Sequence, residues 1–382
     1  MLGVRMAGPE VAAGKQRGAF PWRLQVEPRM ADVPRWLPPI VSLGSLVLAL
    51  ILGGIVLATV GGNPFQTYLH MGRAAFGDLG VLSDTLTKAT PILLCGLACS
   101  LAFRLKLWNI GAEGQFFLGA WAASAVVLAP LLPATTPRVL MLLAMALAGF
   151  LGGALWGFVP GVLKAKLNVN EVLTTLMMNY IAISWNNYFI FAVWSEQGFQ
   201  MSRKFPTSAW LPRLADYAKQ VPSFAGLTTH LGLLMGLVAA GVLWWVMYRS
   251  KWGFEIRLTG DNPKAARYAG INIARNTILV MMLSGGLAGL AGMSEISGVV
   301  HRLQGAISPG YGFTGIIVAW LAKLNPLAVV PVSILFGALI LAGREIQPSG
   351  IAKLLQGIIL FCLISSEVLL RYRIRVVRVK RG

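Results

Sequence analysis

The chain has 382 residues, of which 56% are apolar and only 12% charged; its mean hydropathy is +0.68 and its formal net charge +19. Ordinary soluble domains carry about twice that share of charged residues. Here the apolar residues fall in runs of about 20, the length that crosses a hydrocarbon core of about 30 Å, so a soluble globular fold is excluded. The basic excess sits beside the apolar runs, as the positive-inside rule expects, which argues against nucleic-acid binding. Alternating barrel patterning is absent, and the expected fold is an all-α polytopic transmembrane bundle.

Residues 1–37 are rich in Gly, Pro and Arg and lack an apolar core. They read as a flexible cytoplasmic tail and not as a cleavable signal peptide. The membrane domain then occupies 38–370, and 371–382 is a basic cytoplasmic tail. Candidate spans lie at 38–60, 83–103, 110–132, 139–163, 172–194, 229–248, 276–300, 313–323, 326–343 and 350–370, about ten in all. The 313–323 piece is too short to cross, and Lys323-Leu324-Asn325-Pro326 breaks it from the next run, so it is either a half-helix or a re-entrant element. Pro91, Pro160 and Pro331 are expected to kink their helices. Cys95, Cys99 and Cys362 all fall inside apolar runs and read as small buried hydrophobes, not as a metal site.

With the N-terminus inside, the cytoplasmic segments are 1–37, 104–109, 164–171, 249–275, the Lys323 bend and 371–382. They hold 23 of the 33 Lys and Arg residues, as expected for short loops on that side. The 195–228 loop, with Arg203, Lys204, Arg213 and Lys219, is the exception.

Motifs follow in chain order. In Trp108-Asn109-Ile110-Gly111-Ala112-Glu113-Gly114-Gln115 a short basic turn enters a span. Glu113 is either a functional intramembrane carboxylate or an anion stabilised by the positive end of its helix. Gly149, Gly153, Gly157 and Gly161 recur every four residues, as do Gly285 and Gly289; such ridges let helix backbones approach closely. In the stretch Asn168 to Tyr180, Asn168 or Asn170 caps a span and Glu171 complements its dipole. Deeper in that span, Asn179, with Trp185, Asn186 and Asn187 beyond it, either lines a passage for a polar ring-bearing solute or hydrogen-bonds between helices.

Between two later spans, Gly260-Asp261-Asn262-Pro263-Lys264-Ala265-Ala266-Arg267-Tyr268-Ala269-Gly270 spells a helix of about two turns. Asp261 or Asn262 is its N-cap, Pro263 its first position and Gly270 its C-terminal stop. By charge it is cytoplasmic, either a partner-docking element or a plain amphipathic loop helix. Glu295, near the outer mouth of its span, either binds a solute donor or forms an ion pair with Arg302 or Lys323. No Gly-x-x-x-x-Gly-Lys-Ser/Thr loop, metal-ligand cluster or nucleophile elbow occurs in the sequence, so energy for active transport must come from another subunit or an ion gradient.

At these motifs the chain resembles the long permease subunit of bacterial nucleoside ABC importers, within the branched-chain amino acid and simple-sugar permease superfamily. The resemblance rests on Trp108 to Gln115, Lys164 to Tyr180, Gly260 to Ile271 and Pro309 to Ala319, in that order, and covers about 38–370. Trp108 stands where Phe is usual, and Thr314 where Asp is often found. The resemblance implies an importer permease with no enzyme activity and no cofactor of its own, ATP and Mg²⁺ being used by a cytoplasmic ATPase. That ATPase docks on the coupling helix formed by Gly260, Asp261, Asn262, Pro263, Ala265, Ala266, Arg267, Tyr268 and Gly270. A second homologous permease and an external lipid-anchored solute-binding protein complete the set, in the bacterial inner membrane with both termini cytoplasmic. Asn109, Glu113, Gln115, Asn179 and Glu295 are the candidate path residues. The competing readings are a simple-sugar ABC importer and an ion-coupled transporter using Glu113 or Glu295 without an ATPase.

Overall fold

The computed structural model describes residues 22–28, 34, 36–133, 135–344 and 350–378; the remainder of the two expected tails lies outside the described residues. The helices are α1 (Leu37–Thr59), α2 (Pro64–Phe76), α3 (Leu79–Arg104), α4 (Ala112–Leu128), α5 (Arg138–Leu167), α6 (Glu171–Tyr188), α7 (Gly232–Arg249), α8 (Lys251–Asp261), α9 (Pro263–Tyr268), α10 (Ile273–Glu295), α11 (Tyr311–Leu321), α12 (Pro326–Ala342) and α13 (Ile351–Arg371). Single π turns, Phe189–Val193 and Ile296–Val300, extend α6 and α10.

Four of these segments are long and apolar enough to cross a bilayer: Leu79–Arg104, Arg138–Leu167, Gly232–Arg249 and Ile273–Val300. A fifth is reached if Leu43–Thr59 and Pro64–Phe76, bent by 115°, count as one span. By that measure ten spans are not reached among the described residues. Shorter apolar helices, Ala112–Leu128, Tyr311–Leu321 and Pro326–Ala342, occupy several of the expected runs. The 313–323 piece is a helix of 11 residues, and the break after it is a tight turn with Lys323 and Leu324 at φ 50° and 58°. Asn325 then caps α12, and Pro326 takes its first position.

Two helices were not anticipated. Gln66, Thr67, His70 and Arg73 make α2 too polar to read as an apolar run, yet Asn63 and Pro64 carry its start signal, and the Asn63 side chain accepts from the Phe65 and Gln66 amides. Helix α8 begins with Ser250 as N-cap and leads directly into α9.

The chain divides into two compact units, Ala49–Leu360 and Met1–Leu48 with Phe361–Gly382. In the second, β1 (Trp22–Pro28) pairs antiparallel with β2 (Tyr372–Arg378), Glu27 opposite Arg373 and Val26 opposite Ile374. These segments were expected to be tails. The period-two alternation of Trp22-Arg23-Leu24-Gln25-Val26-Glu27, and of Tyr372-Arg373-Ile374-Arg375-Val376, is the strand signal behind the pairing.

In the first unit α3 is the axis. Every residue from Thr87 to Phe103 is buried, and α7, α10, α11 and α12 pack around it. Helices α5 and α10 meet along their glycines: a methyl on Gly153 would overlap the Gly285 carbonyl oxygen, and one on Gly289 would overlap that of Gly149. Gly157 lies against the Met281 carbonyl, Gly161 against Ile278 and Met281, and Gly119 of α4 against Gly289. Backbones this close leave room only for hydrogen side chains. Opposite that seam, Leu140, Leu143, Leu147, Leu151 and Leu155 of α5 are exposed. An apolar outer face with a small-residue inner face is the pattern of a helix solvated by lipid.

Candidate functional site

The first candidate element is α9. The Asn262 side chain, not Asp261, caps it by accepting from the Ala265 amide at 3.0 Å, and Pro263 is its first residue. Gly270 stops it at φ 76°, a conformation that costs glycine little. Ala266 is fully buried whereas Tyr268 is 94% exposed, and Asp261, Lys264 and Gly270 are exposed as well. The helix therefore has one fixed face and one bare face. Its base is firm: Gly260 presses so closely on the Arg104 carbonyl at the end of α3 that no side chain fits there. Glu255 of α8 accepts from Asn276 Nδ2 at 3.0 Å, and Asn276 Oδ1 accepts from Trp252 Nε1 at 3.1 Å, which ties α8 to α10.

The turn from α3 into α4 is a buried amide bracket. Asn109 Nδ2 donates to Gln115 Oε1 and to Ser284 Oγ, both at 2.9 Å, while Gln115 Nε2 donates back to Asn109 Oδ1 at 3.2 Å. The Ser284 hydroxyl in turn donates to the Ala98 carbonyl. Asn179 of α6 accepts from the Gly114 amide at 2.8 Å and donates to the Ile110 carbonyl at 2.9 Å. Asn109, Gln115 and Asn179 are thus all buried inside this chain and hold its helices together.

Glu113, in the first turn of α4, accepts from the Gly312 amide at 2.7 Å, at the start of α11. Gly312 touches the Glu113 backbone, so two helix N-termini converge on one carboxylate. Both positive helix ends favour the anion. Further along α6, Asn186 Nδ2 donates to the Gln304 carbonyl, and Trp185 packs on Trp121 and Phe189. Lys164 holds Glu171 at 2.9 Å.

Glu295 pairs with neither Arg302 nor Lys323. Its Oε1 is 3.0 Å from Lys88 Nζ of α3, and Tyr311 Oη lies 3.4 Å from the same oxygen and 3.3 Å from Nζ. Glu295 is 3% exposed and Lys88 8%. Arg302 instead faces Glu196 at 3.7 Å. Sequence spacing favoured neighbours in the chain, whereas the partner lies 207 residues away. The signal was available: Lys88 is an ionisable residue inside an apolar run, and such residues need partners.

Beyond this pair, Arg213 staples the 195–228 loop to the end of α10. It donates to the Gly298 carbonyl through Nε (2.9 Å) and Nη2 (2.7 Å), and its Nη2 also meets His301 Nε2 at 2.7 Å. His301 stacks on Trp210, with ring centroids 4.0 Å apart. Burial, reinforced by Arg213, drops the His301 pKa to about 4 and that of His230 to about 3, so both rings are neutral at pH 7. Arg213 is therefore one of the basic residues that the charge count left unexplained, held here by carbonyls and a neutral imidazole.

Residues 81–364 match the family described as branched-chain amino acid transport system / permease component. The chain belongs to this permease family. It is 35% identical to the guanosine ABC transporter permease protein NupP of Bacillus subtilis, over 86% of this chain and 93% of that one. It is 34% identical to the glucose ABC transporter permease protein TsgB13 of Haloferax volcanii, over 94% and 95%. It is 30% identical to the nucleoside ABC transporter permease protein NupB of Lactococcus lactis, over 78% and 82%. The chain is thus a multi-pass permease subunit of an ABC importer, a transport component whose ATPase site is on a separate subunit. In this permease Gly260, just before α9, meets the end of α3, and Lys88 and Arg213 line one cavity.

Proposed function

We propose that this permease carries nucleosides, pairing with a second homologous permease to form the path, and that α9 is the coupling helix on which a cytoplasmic ATPase docks. The observation that carries the docking role is the contrast within α9: Ala266 is fully buried while Tyr268 is almost wholly bare. A push on Tyr268 would meet a rigid base, because Gly260 bears directly on the end of α3. The ATPase supplies ATP and Mg²⁺ chemistry, a lipid-anchored binding protein delivers the solute on the opposite side, and the α9 end faces the cytoplasm with both chain termini. The membrane domain is taken as 38–370, flanked by the tails 1–37 and 371–382. The buried hydrogen bonds of Asn109, Gln115 and Asn179 favour a bracing role for them over contact with solute.

A simple-sugar cargo is the second reading, favoured by the near-complete alignment with a glucose permease. Uptake of radiolabelled guanosine by cells carrying the complete transporter, with unlabelled glucose as competitor, separates the two. Guanosine uptake insensitive to glucose supports the nucleoside reading; glucose uptake insensitive to guanosine overturns it. For docking, Tyr268→Cys should cross-link to the ATPase, and Ala266→Arg should abolish uptake while the chain still inserts. Cross-linking at Tyr268 only from the external side would refute the assignment.

A further inference from the structure

The end of α7 carries a cationic cluster that transport leaves unused. Arg104, the last residue of α3, donates from Nη2 to Tyr248 Oη at 2.9 Å and holds its Cζ 6.0 Å from the ring centroid. Arg257 of α8 sets its Cζ 5.7 Å from the same ring centroid. Two guanidiniums thus share one phenol ring. Among the described residues neither forms an ion pair with a carboxylate. Arg257 Nη1 is buried and has no hydrogen-bond partner, a state that a charged donor tolerates poorly. The ring face stabilises each cation only weakly, and two cations within 6.0 Å of one ring leave a positive charge that an anion would balance.

The surroundings say where that anion comes from. Leu234, Val238, Val242 and Trp245 of α7 are exposed and recur every three or four residues, so they form one bare apolar stripe. The stripe ends at Tyr248, beside Trp244. Trp and Tyr at the end of a lipid-facing helix mark the headgroup level. The exposed Arg249 and Lys251 follow at once and add to the local positive potential. Hydrocarbon therefore lies along the stripe, and the cluster stands at the depth of lipid phosphates.

We propose that Arg104, Tyr248 and Arg257 bind the phosphate of an anionic phospholipid whose acyl chains lie along the α7 stripe, in the leaflet on the α9 side. Guanidinium forks match phosphate oxygens in pairs, and the phenol hydroxyl helps to hold the Arg104 fork in place. The site orders the junction of α3, α7 and α8, the base on which α9 stands.

The test is native mass spectrometry of the full chain extracted from membranes, with thermal unfolding in nanodiscs of phosphatidylcholine alone or mixed with phosphatidylglycerol. Wild type should retain phosphatidylglycerol and gain thermal stability from it. Arg104→Gln with Arg257→Gln should weaken that retention roughly tenfold or more, whereas Lys166→Gln should not. Should the double variant fail to fold, Arg104→Lys with Arg257→Lys keeps the charge without the fork and should retain the lipid less well than wild type. Equal retention by wild type and either double variant overturns the proposal. So does equal stabilisation by inorganic phosphate alone, which would make the site one for a free anion. Cross-linking of Tyr248→Cys to a protein partner and not to lipid would also overturn it.

Discussion

Replacing Lys88 by Met should destabilise the protein far more than replacing Lys88 and Glu295 together. At 3.0 Å and an effective dielectric of about 20, the pair attracts by about 5 kcal/mol. Bringing both charges out of water offsets most of that, so the intact pair adds little net stability. Removing one partner leaves the other charge buried alone, which costs about 3–5 kcal/mol. Glu295 is poorly placed to find a substitute, because its Oε2 already lacks a hydrogen-bond partner and Tyr311 reaches only Oε1. Lys88→Met and Glu295→Leu should each lose about that much, while the two substitutions together should return close to wild type. Tyr311→Phe, which removes two long hydrogen bonds, one accepted from Lys88 Nζ and one donated to Glu295 Oε1, should cost about 1–2 kcal/mol. The assay is a double-mutant cycle on the detergent-solubilised chain, reading the fraction that stays monodisperse after a heating series. A coupling of several kcal/mol is expected; single and double effects that add to within about 0.5 kcal/mol would refute the reasoning.

At the α5–α10 seam, Gly153→Ala and Gly289→Ala should each cost about 1–3 kcal/mol by overpacking, while Gly241→Ala, which meets nothing within 4 Å, should be neutral in the same heating series. Asn179→Ala strips partners from the Gly114 amide and the Ile110 carbonyl; a loss of about 2–4 kcal/mol is expected, and unchanged stability would mean that water replaces the amide. The histidines set a pH dependence. Their folded pKa values of about 3 for His230 and about 4 for His301 lie below the unfolded value near 6.5, so the unfolded chain takes up protons that the fold refuses. Their contribution to stability is therefore complete above pH 6.5 or so and is lost as pH falls through about 4 for His301 and about 3 for His230. Thermal stability should drop across that window, and His230→Gln should flatten the drop; an equally steep profile in the variant would count against it.

What local spacing dictates was legible. The cap, first-turn Pro and terminal Gly of α9 are read from eleven consecutive residues, and of the two caps offered the structure uses Asn262. The break at Lys323–Pro326 was likewise written in the chain. Hydropathy windows failed where an element mixes polarities. Helix α2 carries its polar residues on a helix too short to average them away, whereas α6 falls within the expected 172–194 run although Thr174, Thr175, Asn179, Asn186 and Asn187 dilute it. The strands β1 and β2 were visible only as a period-two alternation, in an N-terminal segment whose Gly, Pro and Arg content, and a C-terminal one whose basic residues, read as tails.

The partners of the polar groups were not legible, for a different reason. A window average treats Lys88 as one unfavourable term among twenty favourable ones and still returns a span. The physics treats it as a charge that must be matched inside low-dielectric protein. The carboxylate that matches it is on α10, and the ring that reaches both is on α11, the short helix whose Gly312 amide is held by Glu113. Thus the first turn of this short helix meets two acidic side chains from two other helices, Glu113 at the Gly312 amide and Glu295 at the Tyr311 hydroxyl. Sequence reading singled out both carboxylates and assigned each a role on its own. The structure brings both to the first turn of α11, where Ser308 Oγ accepts from the Gly310 and Tyr311 amides and the Gly312 amide is left for Glu113.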